Sequence, residues 1–207
     1  MPFLQPIYKL STNYSQLDHV TILSAFTRYP DEAALIGRML AGYADLEIGL
    51  MHCAKQVRGD LDLALKTMFN GRGNSQRIDL AVAIAKRPYD ELGLGHEFDS
   101  AIAAMRYCLR IRNLYAHCTW WADNTGELAF ANLEDLAKLN VVVNENDLHN
   151  LTVNHVNVTH LQAQFNYFEY TDDLLMGVLQ EGNRKSGKQD IPSVVVPAAL
   201  ATPPLKM

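Results

Sequence analysis

The chain has 207 residues, of which 48% are hydrophobic and 20% charged, so it contains enough apolar sequence for one globular core. Its formal net charge of −5 argues against a protein that coats nucleic acid through a broad basic face, although a local binding site stays open. Three cysteines, Cys53, Cys108 and Cys118, do not have the pattern of a disulfide framework. No apolar run reaches the length of a signal peptide or a membrane span, so we expect a cytoplasmic protein without a membrane partner.

The first half of the chain is predicted to be helical. A mixed segment comes first, with a short helical or extended piece around residues 17–26. Apolar residues spaced by three and four predict a long helix over residues 31–58 and a shorter one over 60–69. After a turn rich in asparagine and glycine, Ser75 is expected to cap a further helix that runs to about Lys86. Pro88 is expected to end it, because helices usually stop before a proline.

The next helix is predicted from about His96 to Tyr115, and it carries most of the arginines in this region. One stripe of this helix is apolar and should be buried: Phe98, Ile102, Met105 and Leu109. A second stripe steps by four, three and four residues: Arg106, Arg110, Asn113 and His117. In an unbroken helix, Arg112 would then turn toward the core side.

Periodicity changes after this helix. Residues 119–122 and 127–133, separated by Asp-Asn-Thr-Gly, predict a small β-hairpin, and residues 141–143 are a candidate third strand. A last helix is expected over residues 159–180. Four of the eight prolines lie in the last 16 residues, and residues 183–207 are predicted to form a disordered tail.

Together these elements predict a mainly α fold. We expect an antiparallel helical bundle with a small β-hairpin before the last helix, folded as a single domain over residues 1–182. No internal repeat divides the chain.

Residues 106–121, with the sequence RYCLRIRNLYAHCTWW, carry the most specific chemical signal. Arg112 and Asn113 are followed by His117, with four residues between the arginine and the histidine. Arginine is a permanent cation with a planar fork that suits phosphate, and histidine gains or loses a proton near neutral pH. Residues 100–122 hold three arginines and no carboxylate, so this part of an acidic protein could attract an anion. The pattern favours a site that handles a phosphodiester.

Two alternatives stay open from the residues alone. Arg110, with six residues between it and His117, is a second candidate for the working arginine. The same cations would also be explained by a helix C-terminus, where positive side chains complement the helix dipole.

The stretch Arg-Asn-Leu-Tyr-Ala-His near the end of a long helix, followed by a tryptophan and a strand pair, resembles the HEPN superfamily. The signature of that family is an arginine, four to six residues and a histidine, often with a polar residue directly after the arginine. Arg112, Asn113 and His117 match these three positions. The resemblance covers about residues 31–180 in architecture but only this hexapeptide in motif, and the hairpin and the tail lie outside the common core.

The resemblance implies a metal-independent endoribonuclease that works without a cofactor, as a homodimer whose two motifs meet in one cleft. An RNA 2′-hydroxyl would attack the adjacent phosphorus while His117 transfers a proton, Arg112 stabilises the phosphate charge, and Asn113 orients either group. Such proteins are often toxins or phage-defence effectors, so RNA and an antitoxin or regulatory protein are the expected partners. The alternative is a non-catalytic module of the same family that binds RNA, a nucleotide or a protein.

Further residues are candidates for supporting roles. Four side chains near the motif could contact RNA: Arg106, Arg110, Tyr115 and Trp120. Asp45 and Glu47 could position the arginines through ion pairs, although ordinary solvent exposure explains them equally well. Three histidines lie late in the chain, at His149, His155 and His160. Their spacing matches no common metal-binding motif, so we expect no metal site.

Overall fold

The computed structural model describes residues 24–122, 125–132, 134, 137–138, 153–188, 192–193 and 197–206. In chain order they include α1 (Ser24–Arg28), α2 (Pro30–Arg58), α3 (Leu61–Phe69), α4 (Asn74–Glu91), α5 (Gly95–Ala116), β1 (Cys118–Ala122), β2 (Leu128–Asn132), β3 (Asn154–Val156) and α6 (Val158–Lys185). The predicted fold class, a mainly α bundle with a small β-hairpin before the last helix, is confirmed, and the observed sheet has a third antiparallel strand. None of these helices is long and apolar enough to cross a bilayer.

The structure divides into two compact units. The sheet unit consists of the described parts of residues 1–38, 113–163 and 204–207, and the helical unit consists of those of 39–112 and 164–203. The long helices α2, α5 and α6 each contribute residues to both units.

Within the helical unit, α2 and α5 run antiparallel. The Tyr89 hydroxyl of α4 donates to the Cys53 carbonyl at 3.0 Å, and its ring stacks on Phe98 with centroids 4.7 Å apart. The start of α5 therefore lies near the end of α2. Tyr43, in the middle of α2, interacts electrostatically with Cys108 in the second half of α5, which gives the antiparallel direction.

Helix α6 completes the helical unit through sulfur contacts. The Cys53 thiol donates to the Leu175 carbonyl at 3.3 Å, and the Cys108 sulfur lies 3.2 Å from the Thr171 hydroxyl. Burial raises the pKa of both thiols to about 12. The apolar stripe predicted for α5 is confirmed, because its four members are at most 8% exposed: Phe98, Ile102, Met105 and Leu109.

The sheet unit is built on three antiparallel strands in the order β1-β2-β3. Trp120 of β1 lies opposite Phe130 of β2, and Ala129 lies opposite His155 of β3. Helix α1 packs on β1, where the Phe26 ring lies 5.4 Å from the Trp120 ring. The hairpin is therefore part of a larger sheet. The predicted third strand at residues 141–143 lies outside the described residues, as do residues 17–23 of the predicted first piece.

The helix predicted over residues 75–86 corresponds to α4, and its predicted end at Lys86 is wrong, since α4 continues through Pro88 to Glu91. Pro88 has no backbone N–H, so the Ile84 carbonyl loses its helical donor. The Arg58 side chain donates from Nε to this carbonyl at 2.6 Å. A residue of α2 thus replaces the missing bond. The predicted Ser75 cap is also wrong, because α4 begins at Asn74 with Gly73 at the cap position.

The end of the chain has structure that the composition did not indicate. Helix α6 continues beyond the predicted residue 180 to Lys185. Farther on, Pro203 is buried and its carbonyl accepts a hydrogen bond from the Tyr107 hydroxyl. The single domain over residues 1–182 and the disorder of 183–207 stay predictions.

Candidate functional site

Helix α5 ends inside the sequence motif. Arg112 and Asn113 lie near its C-terminus, and His117 follows Ala116, the last helical residue. The thiol of Cys118 donates to the Leu114 carbonyl at 2.7 Å, which satisfies one of the carbonyls that a helix end leaves without a partner. His117 is therefore a connecting residue between α5 and β1.

The exposure of the motif residues follows the predicted stripes. Arg110, Asn113 and His117 are exposed, whereas Arg112 is half-buried. Arg112 thus turns toward the core side of its helix, as an unbroken helical pattern requires. The exposed stripe begins with Arg106.

Arg112 belongs to the helical unit and interacts there with a buried tyrosine. Tyr43 is 2% exposed, and burial raises the pKa of its phenol far above the ordinary range. The charge of Glu47 acts in the same direction, while the charges of Arg112 and Arg77 oppose it. Tyr43 is therefore a neutral hydroxyl beside a group of charged side chains.

Glu47 has a partner that the sequence did not indicate. It is 4% exposed, and its Oε2 accepts from Nη1 of Arg77 at 2.8 Å. The Arg77 guanidinium also lies over the Phe69 ring, 5.0 Å from the centroid. Glu47 remains a candidate supporting acid, but the arginine that it binds comes from α4. No local signal could have identified Arg77, because its contact spans 30 residues.

Three polar atoms in this group have no hydrogen-bond partner among the residues that the structure describes. They are the Tyr43 hydroxyl, Oε1 of Glu47 and Nε of Arg77. Leaving such an atom buried costs about 1–3 kcal/mol, and native structures contain few of them. The second predicted acid, Asp45, is exposed and contributes to the raised pKa of Asp172, after burial and Asp173.

His117 belongs to the sheet unit and lies near a carboxylate. Its Nδ1 is 3.7 Å from Oε1 of Glu134, and both side chains are about half exposed, at 51% and 54%. The Lys138 ammonium lies 3.8 Å from the other oxygen of Glu134. Glu134 comes from a part of the sequence with no clear periodicity, so its approach to His117 could not be predicted.

The two exposed arginines of α5 have different surroundings. Arg106 binds Asp79 of α4 at 2.6 Å, so its charge is already paired. The Arg110 guanidinium lies 5.2 Å from the ring centroid of Tyr107, and no carboxylate in the described part of the chain lies within ion-pair distance of it. Of these two arginines, Arg110 is the one with a cationic group available for an anion.

The aromatic residues proposed for RNA contact pack inside the sheet unit. Tyr115 is 2% exposed and meets Phe130 edge to face, with centroids 5.7 Å apart. Trp120 is half-buried and lies 5.2 Å from Phe130 and 5.6 Å from Tyr115. Of these two residues, only Trp120 is partly exposed, so it is the one that stays a candidate for base stacking.

Among the residues with a described placement, no three histidine, cysteine or acidic side chains come together as a metal site would require. His155 is half-buried, His160 is 7% exposed, and His149 lies outside the described residues. Burial lowers the pKa of His160, and a hydrogen bond with the Leu205 backbone partly opposes this effect.

None of the protein-family models, characterised proteins or solved structures compared with the chain matches it. The chemistry open to the site therefore follows from its side chains. These provide an available cation at Arg110, a half-buried cation at Arg112 and an exposed imidazole at His117.

Proposed function

We propose that the chain is a metal-independent endoribonuclease of the HEPN type. The observation that supports it most directly is the matching motif at the end of α5, with Asn113 and His117 exposed. The 2′-oxygen of the RNA attacks phosphorus while the bond to the 5′-oxygen breaks. This reaction leaves a 2′,3′-cyclic phosphate and a 5′-hydroxyl, and it needs no metal.

The side chains divide this work. His117 transfers a proton, a step that typically contributes about 10²–10⁴ in rate. Glu134 can accept a hydrogen bond from Nδ1 when the imidazole is protonated, since the two atoms already lie 3.7 Å apart. Arg112 stabilises charge on the phosphate oxygens and Asn113 orients the reacting groups. Arg110 attracts the RNA backbone.

A homodimer follows from the chemistry. One histidine cannot easily act as base and acid in the same turnover, whereas two copies of His117 can share these roles. We infer that the ends of the two α5 helices meet around a two-fold axis. Light scattering at micromolar concentration should give twice the monomer mass, and a strict monomer would argue against a shared site.

We further propose a biological role for this ribonuclease: a cytoplasmic toxin or phage-defence effector that an antitoxin or regulatory protein inhibits. It rests on the family resemblance alone. Toxicity of the wild-type gene on expression, relieved by His117→Ala, would support it.

A non-catalytic module that binds RNA, a nucleotide or a protein is the second candidate. The half-buried position of Arg112 favours it, because an arginine turned toward the core can serve the fold instead of a substrate. In that case Arg112→Ala should unfold the protein.

A cleavage assay on a mixed RNA in the presence of a chelator distinguishes the ribonuclease from the non-catalytic module. Wild type should cut and leave cyclic-phosphate ends, while His117→Ala and Arg112→Ala should each lose at least about 100-fold in rate with their helical content retained. His96→Ala and Arg87→Ala are matched controls, since both side chains are exposed and lie outside the motif. A wild type that binds RNA in a salt-sensitive way but never cuts it supports the module. Loss of cleavage in Arg110→Ala alone would make Arg110 the working arginine.

A further inference from the structure

Two adjoining cavities lie in the helical unit, beside the last turns of α2 and α6. The larger has a volume of about 370 Å³, within the range of small-molecule sites, and the smaller has a volume of about 280 Å³. Gln56 and Lys188 line both cavities, and the Lys188 ammonium donates a hydrogen bond to the Gln56 carbonyl. The two cavities therefore meet at this hydrogen bond.

Polar side chains line the larger cavity: His52, Lys55, Gln56, Asn183 and Lys188. Among the residues that the structure describes, no hydrogen-bond or ion-pair partner reaches the side chains of His52, Lys55 and Asn183. Gln56 is 3% exposed, and its Oε1 has no partner among them either. Buried polar atoms without a partner are few in native structures. The polar groups of this cavity are therefore largely unused by the fold.

The larger cavity is positively charged. Two of its lining residues are lysines and none is acidic, in a chain of net charge −5. Cations near helix C-termini are ordinarily explained by the partial negative charge of the last carbonyls. Here such carbonyls are already bound, by the backbone N–H groups of Gly187 and Lys188 at α6 and by the Gly59 N–H and the Lys188 ammonium at α2. Lys55 therefore keeps a charge that is available for an anion.

The smaller cavity has a different lining. Three of its side chains are apolar: Val57, Pro88 and Leu92. Its one acidic residue, Glu91, would repel a second negative charge. This cavity thus favours an uncharged, apolar group, whereas the larger cavity favours an anion. A single ligand that fills both would be anionic at one end and apolar at the other.

We propose that the two cavities form one binding site for a small phosphomonoester with an apolar ring, of the kind that a nucleoside monophosphate presents. A phosphomonoester has three acceptor oxygens and up to two negative charges, which match two lysines. Lys55 and Lys188 bind the phosphate as point charges, and His52 and Asn183 add donors. The start of α5 lies near the end of α2, so this site and the motif at the other end of α5 are separate. It does not depend on the ribonuclease activity.

Isothermal titration calorimetry of the full chain with adenosine monophosphate tests the site. Adenosine, which lacks the phosphate, and inorganic phosphate, which lacks the ring, should each bind at least about tenfold more weakly. Lys55→Gln should weaken binding of the monophosphate by at least about tenfold, the value of one charge-assisted hydrogen bond. Lys66→Gln is the matched control, since Lys66 is an exposed lysine outside both cavities, and it should leave the affinity unchanged. No binding to wild type at millimolar concentration, or equal affinity in Lys55→Gln, overturns the proposal.

A second measurement locates the ligand. In ¹H–¹⁵N spectra, adenosine monophosphate should shift the amide signals of residues 52–59 and 183–188 and leave those of residues 106–116 in place. Arg110→Gln should not change its affinity, so failure of this site and failure of the ribonuclease proposal are recorded by different variants. Lys188→Arg should keep most of the binding and Lys188→Gln should lose it, with circular dichroism showing that both stay folded. Shifts confined to residues 106–116 overturn the proposal.

Discussion

Glu47 is a buried carboxylate whose ion-pair partner is Arg77, with one oxygen left without a described donor. Removing two charges from water costs several kcal/mol for each ion, and the attraction between them recovers this cost only with good geometry. The pair therefore adds little to stability as a whole. Glu47 without Arg77 would be strongly unfavourable, because its side chain is 6% exposed whereas that of Arg77 is 27% exposed.

Arg77→Met should lower the free energy of unfolding by about 3 kcal/mol, because it leaves the Glu47 charge buried without compensation. Urea denaturation would measure the loss. Adding Glu47→Leu should recover much of it, since no buried charge then remains. Lys66→Met breaks the exposed pair with Asp62, whose side chains are 68% and 69% exposed, and should change stability by less than about 0.5 kcal/mol. An equally small change in Arg77→Met would contradict the assignment.

His160 should make stability depend on pH. Burial lowers its pKa in the folded state below the ordinary value of 6.5, so the folded protein favours the neutral imidazole. The unfolded chain then binds more protons as the pH falls through 6.5, and the stabilising contribution present above this pH is progressively lost toward the lower folded pKa.

Thermal melting of wild type and His160→Gln at a series of pH values would measure this effect. The variant should lose less stability than wild type between neutral and mildly acidic pH. His96→Gln changes an exposed histidine and should keep the wild-type pH dependence. If His160→Gln also keeps the wild-type pH dependence of stability, a group other than His160 causes that dependence.

At the scale of elements, α4 shows how a helix passes through a proline. The Ile84 carbonyl, which Pro88 leaves without a donor, binds Arg58 Nε instead. The break is thus repaired by tertiary structure, from a residue 26 positions earlier in the chain.

Arg58→Met should lower the free energy of unfolding by about 1 kcal/mol, the typical net value of one hydrogen bond. The same substitution in a Pro88→Ala background should cost less, because the alanine introduced there would supply the helical N–H to the Ile84 carbonyl. A double-mutant cycle measured by chemical denaturation gives the coupling directly. Equal costs in both backgrounds would show that Arg58 and Pro88 act independently.

The sequence was a good guide wherever many residues repeat one local pattern. The stripes of α2 and α5 and the exposure of Asn113 and His117 follow from helical periodicity alone. The end of α4 and the strand β3 did not, because each depends on a partner distant in the chain.

The candidate site could likewise be predicted from the sequence only in part. Its motif could be identified from residue types and spacing. The contacts of Glu47 with Arg77 and of His117 with Glu134 arise from packing between elements, which spacing does not encode.

At the scale of the whole molecule, the net charge of −5 limits how RNA can bind. Residues 100–122 contribute three arginines, of which Arg106 is already paired with Asp79. Binding should therefore involve few phosphates per chain and depend on salt less steeply than binding to a broad basic face.

We predict that the slope of log K against log salt for single-stranded RNA is no steeper than about −2 per chain, from about −0.7 for each neutralised phosphate and at most three arginines. Fluorescence anisotropy over a range of salt concentrations would give the slope. Arg110→Gln should reduce it by about 0.7, and Arg87→Gln should leave it unchanged. A much steeper slope would require cationic residues outside α5.

The buried sulfurs of the helical unit have a practical consequence. Because burial raises the pKa of Cys53 and Cys108 to about 12, neither is a thiolate at physiological pH, and neither is accessible while the helices stay packed. An alkylating reagent should first reach Cys118, the half-buried cysteine, and label the other two only when the bundle opens. Mass spectrometry of labelling over time would then record the opening of the helical unit in a cell or a lysate, with no added reporter.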